Sequence, residues 1–111
     1  MLQKTSPYMR EANYIGGEWV QADSGATIEV TNPATGLKLG TVPKSGKAET
    51  RRAIEAAEAA FHSWKKTSVL ERHKLLRKLH DAIMDNQQSL AELLTSEQGK
   101  PLAEAKGEIA Y

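Results

Sequence analysis

The stretch from Ser68 to Gly99 limits the fold more than any other part of this chain. Ser68 followed three residues later by Glu71 is a capping box. The serine hydroxyl can accept from the Glu71 backbone N–H, and the glutamate carboxylate can accept from the Ser68 N–H. Leu75, Leu76, Leu79 and Ile83 then recur at helical spacing, while Arg72, Lys74, Arg77, Lys78 and Asp81 fill the other side. This pattern predicts an amphipathic helix. Asp85 or Asn86 reads as a break and a new cap, with Leu90, Leu93 and Leu94 as the next apolar stripe. Gly99 suits a left-handed terminator, and Pro101 suits the first turn of a further helix. The stripes require a covering layer and by themselves name no chemistry.

Upstream, the signals are those of strands and turns. Tyr14-Ile15 and Trp19-Val20 flank Gly16-Gly17, which predicts a tight hairpin. Gln21 to Ala26 reads as a polar turn. Thr27 to Thr31 alternates polar and apolar residues, and Lys38 to Val42 returns after Asn32-Pro33-Ala34-Thr35-Gly36. In that turn proline fixes φ, asparagine can form an Asx-turn and glycine supplies φ > 0. Residues 27 to 43 are therefore a second expected hairpin. Ser45 is the expected cap of a helix over Lys47 to Ser63, with Ala53, Ile54, Ala57, Ala60, Phe61 and Trp64 on or near its inner face. Pro101 to Tyr111 reads as a last helix with Leu102, Ala105, Ile109 and Ala110 inward. Its Ile-Ala-Tyr ending, without glycine, asparagine or a polar tail, reads as a cut through a continuing helix. Hairpins followed by three to four helices give an α+β segment. Residues 1–13 are expected to be a flexible leader.

Composition narrows the chemistry. The 111 residues carry 15 basic and 14 acidic side chains, a net charge of +1, which gives no electrostatic case for nucleic acid or an anionic membrane as partner. No apolar run approaches the ~20 residues that span a bilayer. Residues 1–13 hold no apolar signal-peptide core, so cytoplasm is the expected location. There are no cysteines, so these residues hold no disulfide, thiolate metal site or cysteine nucleophile. Gly16-Gly17 is no dinucleotide loop, since no G-x-G-x-x-G is present. His73 and His80 lie seven apart with no third ligand at helical spacing, and read as a solvated face rather than a metal site. His62 sits by a helix end, where it meets the dipole. Arg72, Lys74, Arg77 and Lys78 are balanced by Glu71, Asp81 and Asp85 and read as a wet helix face, with an interaction surface as the alternative. Glu104 and Glu108 stand one turn apart, but Lys100 and Lys106 are near and surface charge explains them. Trp19 and Trp64 read as core or packing anchors.

Two runs, Ile15-Gly16-Gly17-Glu18-Trp19-Val20 and Val30-Thr31-Asn32-Pro33-Ala34-Thr35-Gly36, resemble the opening of the aldehyde dehydrogenase superfamily. Ala53 to Phe61, Trp64 and Glu71-Arg72 continue the resemblance. Its strongest piece is Glu97-Gln98-Gly99-Lys100-Pro101-Leu102-Ala103-Glu104-Ala105-Lys106-Gly107-Glu108-Ile109, worded most like the succinate-semialdehyde dehydrogenase branch. Residues 14–111 follow the family in order.

The resemblance implies a parent enzyme that oxidises an aldehyde to an acid with NAD+ or NADP+. A cysteine thiolate adds to the aldehyde, hydride leaves to the nicotinamide, and water activated by a glutamate hydrolyses the thioester. It also implies that the cysteine, glutamate, oxyanion-stabilising asparagine and cofactor loop lie outside these residues. No catalytic, cofactor-binding or metal residue is therefore assigned here. Some members hold a monovalent cation near the positions of Thr31 and Glu97, but a helix-end carboxylate in water also explains Glu97. Residues 14–111 would form the N-terminal part of a Rossmann-like cofactor-binding domain. The expected partners are the remainder of the enzyme chain and, in isolation, further copies through exposed apolar helix faces. No cofactor is expected on the segment itself. The other reading is a freestanding helical interaction module, which requires a closed core.

Overall fold

A computed structural model of the chain describes residues 6–111. Its elements run β1 (Asn13–Ile15), β2 (Glu18–Val20), β3 (Thr27–Thr31), β4 (Lys38–Pro43), α1 (Lys47–Trp64), α2 (Val69–Asp85), α3 (Gln87–Gln98) and α4 (Leu102–Ala110). This is an α+β segment, with two separate two-stranded sheets preceding four helices.

The expected turns form for the expected reasons. β1 and β2 pair antiparallel, with Tyr14 opposite Trp19 and Ile15 opposite Glu18. Gly16 and Gly17 both have positive φ, 61° and 87°, the pattern of the hairpin turn whose twist matches the strands. In the second hairpin Asn32 Oδ1 accepts from Ala34 N–H at 2.9 Å, an Asx-turn. The Asn32 carbonyl accepts from Gly36 N–H at 2.8 Å, and Asn32 N–H donates to the Leu37 carbonyl at 2.9 Å.

The chain divides into two compact units. One holds residues 10–29 and 40–68, and the other residues 6–9, 30–39 and 69–111. In the first unit, α1 lies against β1. The expected cap, Ser45, is displaced by one residue. Gly46 is the N-cap, and the Ser45 hydroxyl instead accepts from Asn13 Nδ2 at 2.9 Å. The return half of a capping box is supplied by Glu49, whose Oε2 accepts from Gly46 N–H at 3.0 Å. Its Oε1 accepts from Asp23 N–H at 2.8 Å, so one buried carboxylate clips the 21–26 turn to the helix start. Arg52 adds a two-pronged ion pair to Asp23, at 2.6 and 3.0 Å.

The inner face of α1 also differs from the expectation. The covered residues are Glu49, Ala53 and Ala56, spaced at i, i+4 and i+7 along one side. Ile54 and Phe61 are 62% and 55% exposed, and Ala57, Ala60 and Trp64 are exposed as well. The hairpin touches the helix through its glycine tip, where a Cβ on Gly16 would meet the Ala56 methyl at 3.9 Å.

In the other unit the closest packing is α3 on α4. Ala91 and Ala105 are both fully covered, at 0% exposure, and Gln87 Nε2 donates to the Lys106 carbonyl at 2.9 Å. Leu90, Leu93 and Leu94 are half-buried, as is Ile109, while Leu102 and Ala110 stay exposed. α3 ends as expected on Gly99 at φ 85°, whose N–H donates to the Thr95 carbonyl at 2.8 Å. Pro101 stands one position before its expected place, as the N-cap of α4 with ψ 141°. A Cβ on Gly99 would come within 2.9 Å of Pro33 Cγ, so the turn at 32–36 presses directly on the α3–α4 elbow.

Of the residues expected as a leader, 1–5 lie outside the described range. Tyr8 donates its hydroxyl to Asn86 Oδ1. Glu11 Oε1 accepts from the Thr41 N–H at 2.7 Å and from its hydroxyl at 3.1 Å, and the Glu11 carbonyl accepts from Gln21 Nε2.

Candidate functional site

The side chains singled out from the sequence do not converge on a reaction centre. His73 and His80 share α2, and His80 Nδ1 lies 3.1 Å from Asp81 Oδ1. Asp81 also receives Arg77 Nε at 3.2 Å. The His80 imidazole, followed by the Arg77 guanidinium, holds the Asp81 carboxyl below the usual carboxylate range. Lys74, Arg77 and Lys78 are exposed and Arg72 is half-buried. His62 lies in the last turn of α1. Glu108 accepts from Lys100 Nζ, so its partner is that cation rather than Glu104. Thr31 and Glu97 are both exposed. Among the described residues, no three His, Asp or Glu side chains gather as a metal ligand set.

The two tryptophans are not core residues. Trp19 is more than half exposed and stacks at a tilt on Tyr14, ring centres 5.0 Å apart, with Arg10 5.7 Å from its ring. β1–β2 is a two-stranded ribbon, and Tyr14 and Trp19 are both more than half exposed. Trp64 is also exposed, at the end of α1 where Lys65 lies over Phe61 at 5.4 Å.

What the structure does present is uncovered apolar surface on two helices. On α1 it comprises Ile54, Phe61 and Trp64. On α2 it comprises Val69, Leu70, Leu75, Leu76 and Leu79, with Leu76 60% and Leu79 56% exposed. Among the described residues the buried apolar side chains are Ala22, Pro43, Ala91 and Ala105, and no large side chain is fully buried. The closed core required of a freestanding module is absent among the described residues. Helical periodicity gave these faces correctly as apolar, and only the missing layer could not be read from it. The site the sequence missed is the junction of two of its own motifs, Pro33 against Gly99. The two glycine-containing turns were visible, but nothing in either one specifies the other.

Comparison with known proteins gives these surfaces their context. The profile described as the aldehyde dehydrogenase family matches residues 19–111. The chain belongs to the aldehyde dehydrogenase family. It is 57% identical over all 111 residues to the glutarate-semialdehyde dehydrogenase of Pseudomonas putida, covering 23% of that protein. It is 52% identical over 106 residues to the succinate-semialdehyde dehydrogenase [NADP(+)] of Escherichia coli, covering 96% of this chain and 22% of that one. The crystal structure of succinate-semialdehyde dehydrogenase from Burkholderia pseudomallei superposes with a TM-score of 0.89 at 61% identity, over 92% of this chain and 21% of the other. The chain thus spans less than a quarter of the length of the curated relatives it matches, and corresponds to their N-terminal region. Among the described residues, no helix is long and apolar enough to cross a membrane.

Proposed function

We propose that residues 14–111 form the N-terminal part of the cofactor-binding domain of an NAD(P)-dependent semialdehyde dehydrogenase. The reaction we assign to that enzyme is oxidation of succinate semialdehyde to succinate in the cytoplasm. The relatives carrying this reading act on succinate and glutarate semialdehydes, which share an aldehyde and a distal carboxylate. The observation that supports it most is the collinear family match over residues 19–111 together with the same chain path in the succinate-semialdehyde dehydrogenase structure.

The role of these residues is architectural. With no cysteine in the chain, the nucleophile of the family reaction is not among them. The segment alone therefore neither binds NAD(P)+ productively nor turns over aldehyde. The open faces of α1 and α2 are the surfaces on which the remainder of the enzyme packs, and in isolation they drive self-association. The test is a purified-chain assay of NAD+ and NADP+ reduction with succinate semialdehyde and with glutarate semialdehyde. No rate above the protein-free control is expected. A rate proportional to chain concentration and surviving repurification would overturn the architectural reading. For the enzyme reading, the gene's full product should reduce NAD(P)+ with a semialdehyde, and failure with both substrates would remove it.

A further inference from the structure

We propose that Glu11 is a guard on the outer edge of β4: its carboxylate occupies the backbone donor through which a second copy of this chain would otherwise add a strand. The inference goes beyond the enzyme reading and does not depend on it.

β3 and β4 form a two-stranded sheet, so each has one edge without a strand partner among the described residues. Such an edge is a template for another strand unless it is blunted. The Lys44 N–H donates to the Ala26 carbonyl at 2.8 Å, which turns the Lys44 backbone toward β3. Backbone groups alternate along an antiparallel strand, so Thr41 and Pro43 turn outward. The Thr41 N–H accordingly leaves the sheet and donates to Glu11 Oε1 at 2.7 Å, and the Thr41 hydroxyl donates to the same oxygen at 3.1 Å.

Three features blunt this one edge. Pro43 has no N–H to offer. Between the bond of Asn32 to Leu37 and that of Lys44 to Ala26, β4 carries one residue more than β3, a bulge that disturbs pairing. The Glu11 carboxylate takes the outward donor that remains at Thr41. Proline and bulge belong to the strand itself, whereas Glu11 comes from the segment before β1. That segment is held separately, by Gln21 Nε2 donating to the Glu11 carbonyl at 2.8 Å. The hairpin so guarded is rich in β-branched residues, Thr27, Ile28, Val30 and Thr31 on β3 and Thr41 and Val42 on β4, the composition that favours strand addition. Two β4 edges related by a two-fold axis present the same donors and acceptors to each other, which makes a second copy the strand excluded.

The test compares the wild-type chain with Glu11→Ala and with Glu11→Ala combined with Thr41→Pro. In Glu11→Ala the Thr41 amide should exchange about tenfold faster, as for a lost charge-assisted hydrogen bond. That chain should also associate with growth of the infrared band of intermolecular β-sheet. Association through the open helix faces adds no such band, so the two routes are told apart. Adding Thr41→Pro removes the donor itself and should return the band to the wild-type level. If the Thr41→Pro chain loses its fold, Glu11→Gln serves in its place: its amide oxygen still accepts and should hold the band near the wild-type level. A Glu11→Ala chain matching the wild type in both readouts would overturn the guard. So would a band undiminished in the double variant, or one as strong in Glu11→Gln as in Glu11→Ala.

Discussion

The two units of this chain are held by different kinds of contact. In the unit built on α1, a carboxylate carries the load: Glu49 accepts from Gly46 and Asp23 N–H, and Arg52 pairs with Asp23. In the unit built on α3 and α4, close approach of small groups does so: Ala91 and Ala105 are fully covered, and Pro33 presses on Gly99. Polar clips of the first kind are directional and respond to proton concentration. Contacts of the second kind are steric and respond to added volume. A segment without large buried side chains can thus still fix its backbone, through hydrogen-bonded turns in one part and shape in the other.

The contrast can be broken by substitution, and the steric side should yield the largest effect. Gly99→Val puts a branched side chain at φ 85° and a Cβ within 2.9 Å of Pro33 Cγ. A non-glycine residue in that conformation costs about 1–3 kcal/mol before any clash is counted. The unfolding free energy from urea titration should fall by that amount or more, and amide protection should be lost first around α3 and α4. A midpoint unchanged from the parent chain would show that the elbow is not fixed by shape. Asn32→Ala removes the Asx-turn acceptor of a nearly buried side chain and should cost about 1 kcal/mol in the same measurement.

The polar side is sharpened by pH. Backbone donation from Asp23, followed by that from Glu49 and Gly46, holds the Glu49 carboxyl below its ordinary value. A carboxyl depressed in the folded state stabilises fully above its unfolded pKa, and that contribution is lost as pH falls through the folded value. Acidification below the ordinary glutamate range should therefore loosen the α1 start and the 21–26 turn, read by amide exchange there. Glu49→Gln should lower stability at neutral pH and flatten that acid dependence. If the wild-type and Glu49→Gln chains lose protection in parallel on acidification, the clip is not the source. The smallest effect belongs to Asp23→Asn, which weakens an ion pair whose two side chains are about half exposed. Its melting temperature should drop less than that of Glu49→Gln.

Most of the local architecture was legible. Gly16-Gly17, Asn32 to Gly36 and Gly99 each demand a backbone conformation that few residues allow, so the sequence placed those turns. Helix boundaries followed from periodicity to within one or two residues. What was not legible was which side of α1 and α2 is covered. Ile54, Phe61, Leu76 and Leu79 mark where apolar surface lies, whereas coverage depends on what else is present. The inner side of α1 is hard to read in the sequence because its contacts are made by alanines and a glutamate, which carry little hydrophobic signal. Ser45 does not cap α1 because its hydroxyl has a competing partner, Asn13, that lies 32 residues away in the chain. The candidate site stayed unread for a related reason, since the family's reaction chemistry involves residues that these 111 do not include.

The scarcity of covered large side chains has a calorimetric consequence. Unfolding raises heat capacity mainly through newly wetted hydrocarbon, ordinarily about 12–15 cal/mol/K per residue. Among the described residues the buried apolar groups are the small side chains of Ala22, Pro43, Ala91 and Ala105, so little hydrocarbon is left to wet. Its melting endotherm should be broad, with a baseline step well under that figure.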